Sequence, residues 1–214
     1  MPFDGAGSWA PVALSSDLPP GTVIPAWTST GSIALWRSQS GRASASSDRC
    51  PHRGMRLSHG FVRGEALSCI YHGWSYSPSG GCIRIPAHPD LVPPETIRVA
   101  VQRVEEAGGV LWVAIGQPAA QPPQLDELIP LRSLTVEADV AAIEDAAGAE
   151  IDANGLIRPP EFPWIALLLA PQEKHTLLHL MVEPDHSPAD RLTASRITES
   201  LRRAAEERQR ERAE

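Results

Sequence analysis

Cys50-Pro51-His52 and Cys69-Ile70-Tyr71-His72 constrain this chain more than any other feature. The pattern is Cys-x-His, sixteen residues, then Cys-x-x-His. Two of the three cysteines and two of the seven histidines fall in one window of 23 residues. That concentration points to a shared metal centre. Cys2His2 suits tetrahedral zinc, but zinc fingers usually pair Cys with Cys and His with His, close in sequence. Here each half offers one thiolate and one imidazole, which suits two metals bridged by sulfide. In a [2Fe–2S] cluster of that kind Cys50 and Cys69 would hold one iron, and His52 and His72 the other. Neutral imidazoles in place of two thiolates raise the reduction potential above that of an all-cysteine cluster. Gly54 and Gly73 follow the two halves, and glycine permits the tight turns such loops need.

The flanking residues carry a family resemblance. Arg49-Cys50-Pro51-His52-Arg53-Gly54-Met55 and Tyr71-His72-Gly73-Trp74-Ser75-Tyr76 resemble the Rieske non-haem iron oxygenases, most of all the vanillate demethylase and dicamba demethylase type. Gly80 to Ala87, Trp9 to Ala13 and Gly109 to Val113 are similar to the same family. Together they cover about residues 8 to 118. The resemblance implies a Rieske [2Fe–2S] cluster on Cys50, His52, Cys69 and His72. It also implies that the Tyr76 hydroxyl donates to a ligand thiolate, that Trp74 packs the cluster away from water, and that Arg53 positions the first loop or pairs with a carboxylate. Cytochrome bc-type Rieske proteins are less similar. They carry an extra cysteine in each cluster loop, where this chain has Met55 and Tyr71, and a serine where it has Trp74. Losing that serine hydroxyl implies a lower potential.

The rest of the composition suits an ordinary globular protein. No apolar run approaches the roughly 18 residues of a membrane span. The N-terminal residues, with Asp4, show no basic-then-apolar leader pattern. Cys82 has no partner once the other two cysteines bind iron, which suits a reducing cytoplasm. A net charge of −7 argues against nucleic acid as a partner, and is compatible with a basic patch on a redox partner.

Turn signals divide the first 117 residues into short strands: Thr22–Ile24, Ser32–Trp36, Ala43–Ser46, Val62–Ser68, Ile83–Pro86, Thr96–Arg103 and Gly109–Ile115. They predict an antiparallel β domain over residues 1–117 that projects the cluster loops. Residues 118–130 read as a Pro-rich linker. Residues 131–214 read as α+β. The expected elements are a strand at Leu131–Val136, a helix over Ala138–Ala147 and a strand over Ala149–Ile157. A hairpin of Trp164–Leu169 with His175–Val182 follows, then a terminal helix from Asp190 whose stripe is Ala194, Ile197, Leu201, Ala204 and Ala205. Beyond Glu206 the polar tail reads as a solvated, fraying end. The fold class expected is mainly β, an antiparallel Rieske domain followed by a shortened helix-grip-like domain.

The resemblance implies a mononuclear iron in that second domain, held by two histidines and a carboxylate. No Asp-x-x-His-x-x-x-x-His pattern is present to hold it. Glu173, His175, His179, Glu183, Asp185 and His186 crowd one stretch and offer the ligand types of an Fe(II) site. His175 and His179 on a strand, however, would lie about 13 Å apart, against about 4 Å for two ligands of one ion. They are expected at a surface or interface, as are His59 and His88.

Two functions follow from the resemblance. One is a Rieske oxidoreductase subunit that takes single electrons from a ferredoxin or flavin reductase. It would pass them to a mononuclear Fe(II) in a partner oxygenase chain, or across a homo-oligomer. The alternative is a compact oxygenase that hydroxylates or demethylates a small organic substrate. No catalytic residue is assigned, and neither nucleic acid nor membrane is expected as a partner.

Overall fold

The computed structural model describes residues 7–213. Asp4 of the N-terminal reading and the last residue of the expected terminal helix lie outside them. The chain divides by its contacts into Ser15–Glu106 and a second unit made of residues 1–14 with 107–214. The division is interleaved, whereas the sequence reading placed its domains end to end.

The first strand, β1 (Ser8–Leu14), belongs to the second unit. The first unit then builds β2 (Val23–Thr28), β3 (Gly31–Arg37), β4 (Ala43–Ser47), β5 (Phe61–Arg63), β6 (Ala66–Ser68), β7 (Ser75–Tyr76), β8 (Cys82–Arg84) and β9 (Val101–Gln102). These form two antiparallel four-stranded sheets, ordered β2-β3-β4-β9 and β5-β6-β7-β8. The apolar run Ile33–Trp36 is buried and makes β3 an inner strand of its sheet. One core cluster draws Ala34 and Trp36 together with Leu57, Leu67, Tyr76, Ile85 and Val99, and both Cys50 and Cys69 belong to it.

Val62–Ser68, expected as one strand, is instead the hairpin β5–β6. Gly64 takes φ +57 at its turn, and Arg63 faces Ala66. Thr96–Arg103 forms ladder pairs only at Val101–Gln102, apart from one bridge of Arg98 to Gly81. Val99 alone of its alternating valines is buried, while Val101 at the sheet edge is exposed, and period alone cannot distinguish that from a full strand.

The strand β10 (Val104–Ala107) crosses the boundary between units. The second unit continues with β11 (Val110–Ile115), β12 (Ile129–Val136), α1 (Val140–Ala147), β13 (Leu156–Ile157), β14 (Ile165–Pro171), β15 (Thr176–Val182) and α2 (Pro188–Ala213). A sheet ordered β12-β15-β14-β13 is its centre. Alternation along β14 sends Ile165, Leu167 and Leu169 to one face, under α1 and α2. Ala166 and Leu168 go to the other, against Trp9, Val110 and Trp112 of the antiparallel pair β1–β11. The helix α1 starts at Asp139, whose carboxylate accepts the Ala142 N–H at 2.8 Å, and ends at Gly148 with φ +67. Such an N-cap contributes about 1 kcal/mol. This is the mainly β, antiparallel fold expected.

Three details of the second half differ from the sequence reading. Residues 118–130 pack down, because Leu125 and Leu128 bury themselves beside Trp9 and Trp112. Of Ala149–Ile157 only Leu156–Ile157 is strand. The Asp152 carboxylate captures the N–H groups of Asn154 and Leu156 and folds the rest into a turn. The polar tail does not fray. Glu206 and Gln209 accept the backbone N–H groups of Glu137 and Asp139, and Arg212 reaches Asp139 and Asp145. The tail thus ties the terminal helix to the start of α1.

Among the described residues no helix is long and apolar enough to cross a membrane.

Candidate metal centre

Both loops lie in the Ser15–Glu106 unit, and they repeat one backbone motif. In the first, Cys50 N–H donates to Met55 O at 2.9 Å and Gly54 N–H donates to Cys50 O at 2.8 Å. In the second, Cys69 N–H donates to Trp74 O at 2.9 Å and Gly73 N–H donates to Cys69 O at 3.0 Å. Gly54 and Gly73 each take φ +69 to close these turns, a conformation that costs other residues roughly 1–2 kcal/mol. A Cβ on Gly73 would also meet Pro86 Cγ at 2.9 Å.

The repeat sorts the four donors by exposure. Cys50 and Cys69 are 3% and 2% exposed, and both belong to one buried core cluster. His52 is half-buried and His72 exposed. Their rings meet edge to face, with centroids 4.6 Å apart. Among the described residues no three His, Cys, Asp or Glu side chains gather for a single ion. The donors meet instead as a buried sulfur pair and an outward nitrogen pair. That arrangement fits a cluster with two thiolates on one iron and two imidazoles on the other.

Electrostatics favour the forms that bind metal at the imidazole end. Burial first, then His72 and Arg53 beside it, lower the His52 pKa and keep its ring neutral. Burial and the neighbouring Cys50 raise the Cys69 thiol, opposed by the Tyr71 and His72 backbone N–H groups aimed at its sulfur. Those amides remain as donors to a bound thiolate.

Tyr76 and Trp74, read from the sequence as cluster neighbours, are both close. The Tyr76 hydroxyl lies 3.1 Å from Cys50 Sγ. Trp74 lies flat on His52, with centroids 4.3 Å apart and an interplanar angle of 3°. Cys82, opposite Tyr76 in the β7–β8 pair, is a buried free thiol. Sequence reading missed Asp48. Its fully buried carboxylate accepts Ser58 N–H at 2.6 Å and Ser58 Oγ–H at 2.8 Å, and Arg56 approaches it at 3.9 Å. It anchors the chain immediately before and after the first loop. The available signal was a lone carboxylate two residues before a ligand, at the end of an otherwise uncharged strand.

The histidines of the second half do not form a site. His175 lies at the turn before β15, half-buried. His179, expected at a surface or interface, is fully buried inside its unit, bonded to Ser133 Oγ at 2.9 Å and Pro11 O at 3.3 Å. Both faces of β15 are covered, so its outward-looking period leads inward. His186 stacks on Trp164. His59 and His88 are exposed.

The Rieske [2Fe–2S] domain family matches residues 8–103. The chain is 40% identical over 144 residues to oxidoreductase NdmD of Pseudomonas putida, covering 63% of this chain and 24% of that protein. It is 33% identical over 138 residues to the 3-chlorobenzoate-3,4-dioxygenase oxygenase subunit of Comamonas testosteroni, covering 64% and 32% respectively. The chain thus spans about a quarter to a third of these relatives. The crystal structure of dicamba monooxygenase bound to dicamba superposes with a TM-score of 0.71 at 20% identity, covering 97% of this chain and 88% of that one. This likeness extends the shared fold beyond the matched domain. Residues 8–103 thus match a Rieske [2Fe–2S] domain, whose cofactor is a [2Fe–2S] cluster, and the chain is similar to Rieske non-haem iron oxygenases in sequence and in fold.

Proposed function

We propose that Cys50 and Cys69 ligate one iron and His52 and His72 the other, and that the chain is the electron-carrying component of a Rieske oxygenase system. When bound, the cluster supplies reversible one-electron transfer. The observation that carries this reading is the sorting of the ligands: buried sulfurs, and imidazoles at the surface where a partner can approach. Tyr76, Trp74 and the amides of the second loop fix and tune the ligands. The Ser15–Glu106 unit would serve as the cluster-bearing part. Residues 131–214, a reduced helix-grip-like part, would serve in docking or oligomerisation. Electrons would come from a ferredoxin or flavin reductase in the cytoplasm and pass to a mononuclear Fe(II) held by a partner chain. The commitment of His179 to Ser133 and Pro11 supports this carrier role over a self-sufficient oxygenase.

The test is iron and acid-labile sulfide per chain on anaerobically purified protein, with EPR after reduction by dithionite. Two irons, two sulfides and a Rieske-type spectrum are expected. A third iron without further sulfide would overturn the carrier reading in favour of an oxygenase with its own catalytic metal.

A further inference from the structure

The net charge of −7 conceals a segregation of charge. Residues 15–106 hold nine arginines against seven carboxylates, a net of +2, and the remaining residues hold ten basic against nineteen acidic groups, a net of −9. Within the cluster-bearing unit the imbalance concentrates at the loops. From Arg49 to Pro89 there are five arginines and one carboxylate, Glu65. That carboxylate is tied to Ser40.

Arg49, Arg53, Arg56 and Arg84 are exposed. Arg53 is close enough to act on the His52 charge. Arg49 Nη1 lies over Gly54, 3.9 Å from where a Cβ would stand. Arg84 pairs across the ladder with Ser75, next to Trp74. Between Cys69 and His72, Ile70 and Tyr71 are 56% and 57% exposed, and the Tyr71 ring leans on His72. An apolar tip beside the exposed His72, with Arg53 near the half-buried His52 and Arg84 next to Trp74, therefore marks the outer face of the loops. A cluster with two thiolates and two neutral imidazoles is formally uncharged when oxidised, so the arginines set the local sign.

We propose that this face docks an electron-transfer protein whose own docking face is acidic around an apolar centre. The inference rests on the electron-carrier reading and names the chemistry of its partner. It reverses what the net charge suggests, because a Debye length of about 8 Å at physiological salt makes a partner sense mainly the charges at the face it meets, and those on the two loops and beside them are arginines. Opposite charge speeds the encounter, and Ile70 and Tyr71 supply the dry contact that shortens the distance to His52 and His72.

The experiment uses the cluster-loaded chain and an acidic plant-type [2Fe–2S] ferredoxin as probe. The dissociation constant is read by calorimetry and the electron-transfer rate by stopped flow, between about 20 mM and about 300 mM salt. Binding is expected at low salt, weakening about tenfold over that range. Arg84→Glu, and separately the pair Arg53→Gln with Arg84→Gln, should each weaken binding and slow transfer about tenfold at low salt. Arg210→Glu, an exposed change of equal charge in the other unit, should leave both unchanged. EPR after dithionite confirms the cluster in each variant and separates the two readings. If dithionite produces no Rieske signal in the parent chain, the carrier reading fails and this proposal with it. If the signal is present but binding ignores salt and Arg84, the carrier reading stands and the acidic partner is ruled out. An effect of Arg210→Glu equal to that of Arg84→Glu would likewise overturn the proposal, since global charge would then account for it.

Discussion

The Tyr76 hydroxyl lies 3.1 Å from the sulfur of Cys50, and both side chains are buried in one core. Burial above all, and then the adjoining Cys50, push the Tyr76 phenol above its ordinary range, so it stays protonated. Against a thiolate it can only donate.

Removing that donor tests its role. Tyr76→Phe keeps the packing and deletes one hydrogen bond to sulfur. A bond that is tenfold stronger in the reduced state moves a one-electron potential by about 59 mV. A drop on the order of 50 mV is expected by protein-film voltammetry. An unchanged potential would reduce Tyr76 to a packing residue.

The ligand assignment predicts the result of His72→Cys. Replacing a neutral imidazole by a thiolate should lower the potential and move the EPR spectrum toward that of an all-cysteine-type centre. If iron content, potential and spectrum all match the parent, His72 is not a ligand.

Gly73→Ala should damage the second loop. The residue sits at φ +69 and its new methyl would meet Pro86. A loss of about 2 kcal/mol in urea unfolding, with less iron retained per chain, is the expected result. Gly41→Ala is the control, since that glycine shares a positive φ of +93 with nothing within 4 Å of the new atom. Equal iron loss in both would show that the Pro86 contact is immaterial.

Asp48→Ala strands the Ser58 N–H and hydroxyl in a buried site. The cost should be about 2–4 kcal/mol, and Ser58→Ala should cost less. The double variant should lose less than the sum of the two, because each change removes the same bonds. Strict additivity would dissolve the proposed anchor.

The terminal helix carries a pH-dependent element. Hydrogen bonds from Arg202 hold the Glu199 carboxyl at about 2, down from an ordinary 4.5. A depressed carboxylate contributes stability above its unfolded pKa and loses it as pH falls through the folded one. The difference in melting temperature between parent and Glu199→Gln should therefore be constant above pH 4.5 and vanish toward about 2. It should also shrink with salt, since the pair is accessible to solvent. A gap that widened on acidification would contradict the pairing.

The sequence resolved the long, one-faced or capped elements best. The hairpin of β14 and β15, α1 between Asp139 and Gly148, and the run Val110–Ile115 are all where pattern and punctuation put them. It failed where a segment's state depends on a distant surface. Leu125 and Leu128 look like linker residues until Trp9 and Trp112 cover them. The tail beyond Glu206 looks solvated until Glu137, Asp139 and Asp145 meet it. His179 alternates as a half-exposed strand residue would, and is buried because a second pair of strands lies over that face.

By itself the sequence determined the chemistry available: which donors exist, their spacing, and the glycines that let each loop close. These are local properties, fixed by residue type and a few consecutive dihedral angles. The tertiary structure alone decided that the sulfurs are buried while His72 is exposed and His52 half-buried, that Asp48 fastens the first loop through Ser58, and that Arg84 of a later strand pairs with Ser75 beside Trp74. Exposure, anchoring and local field depend on segments far apart in sequence packing against each other, and no spacing within a motif encodes them.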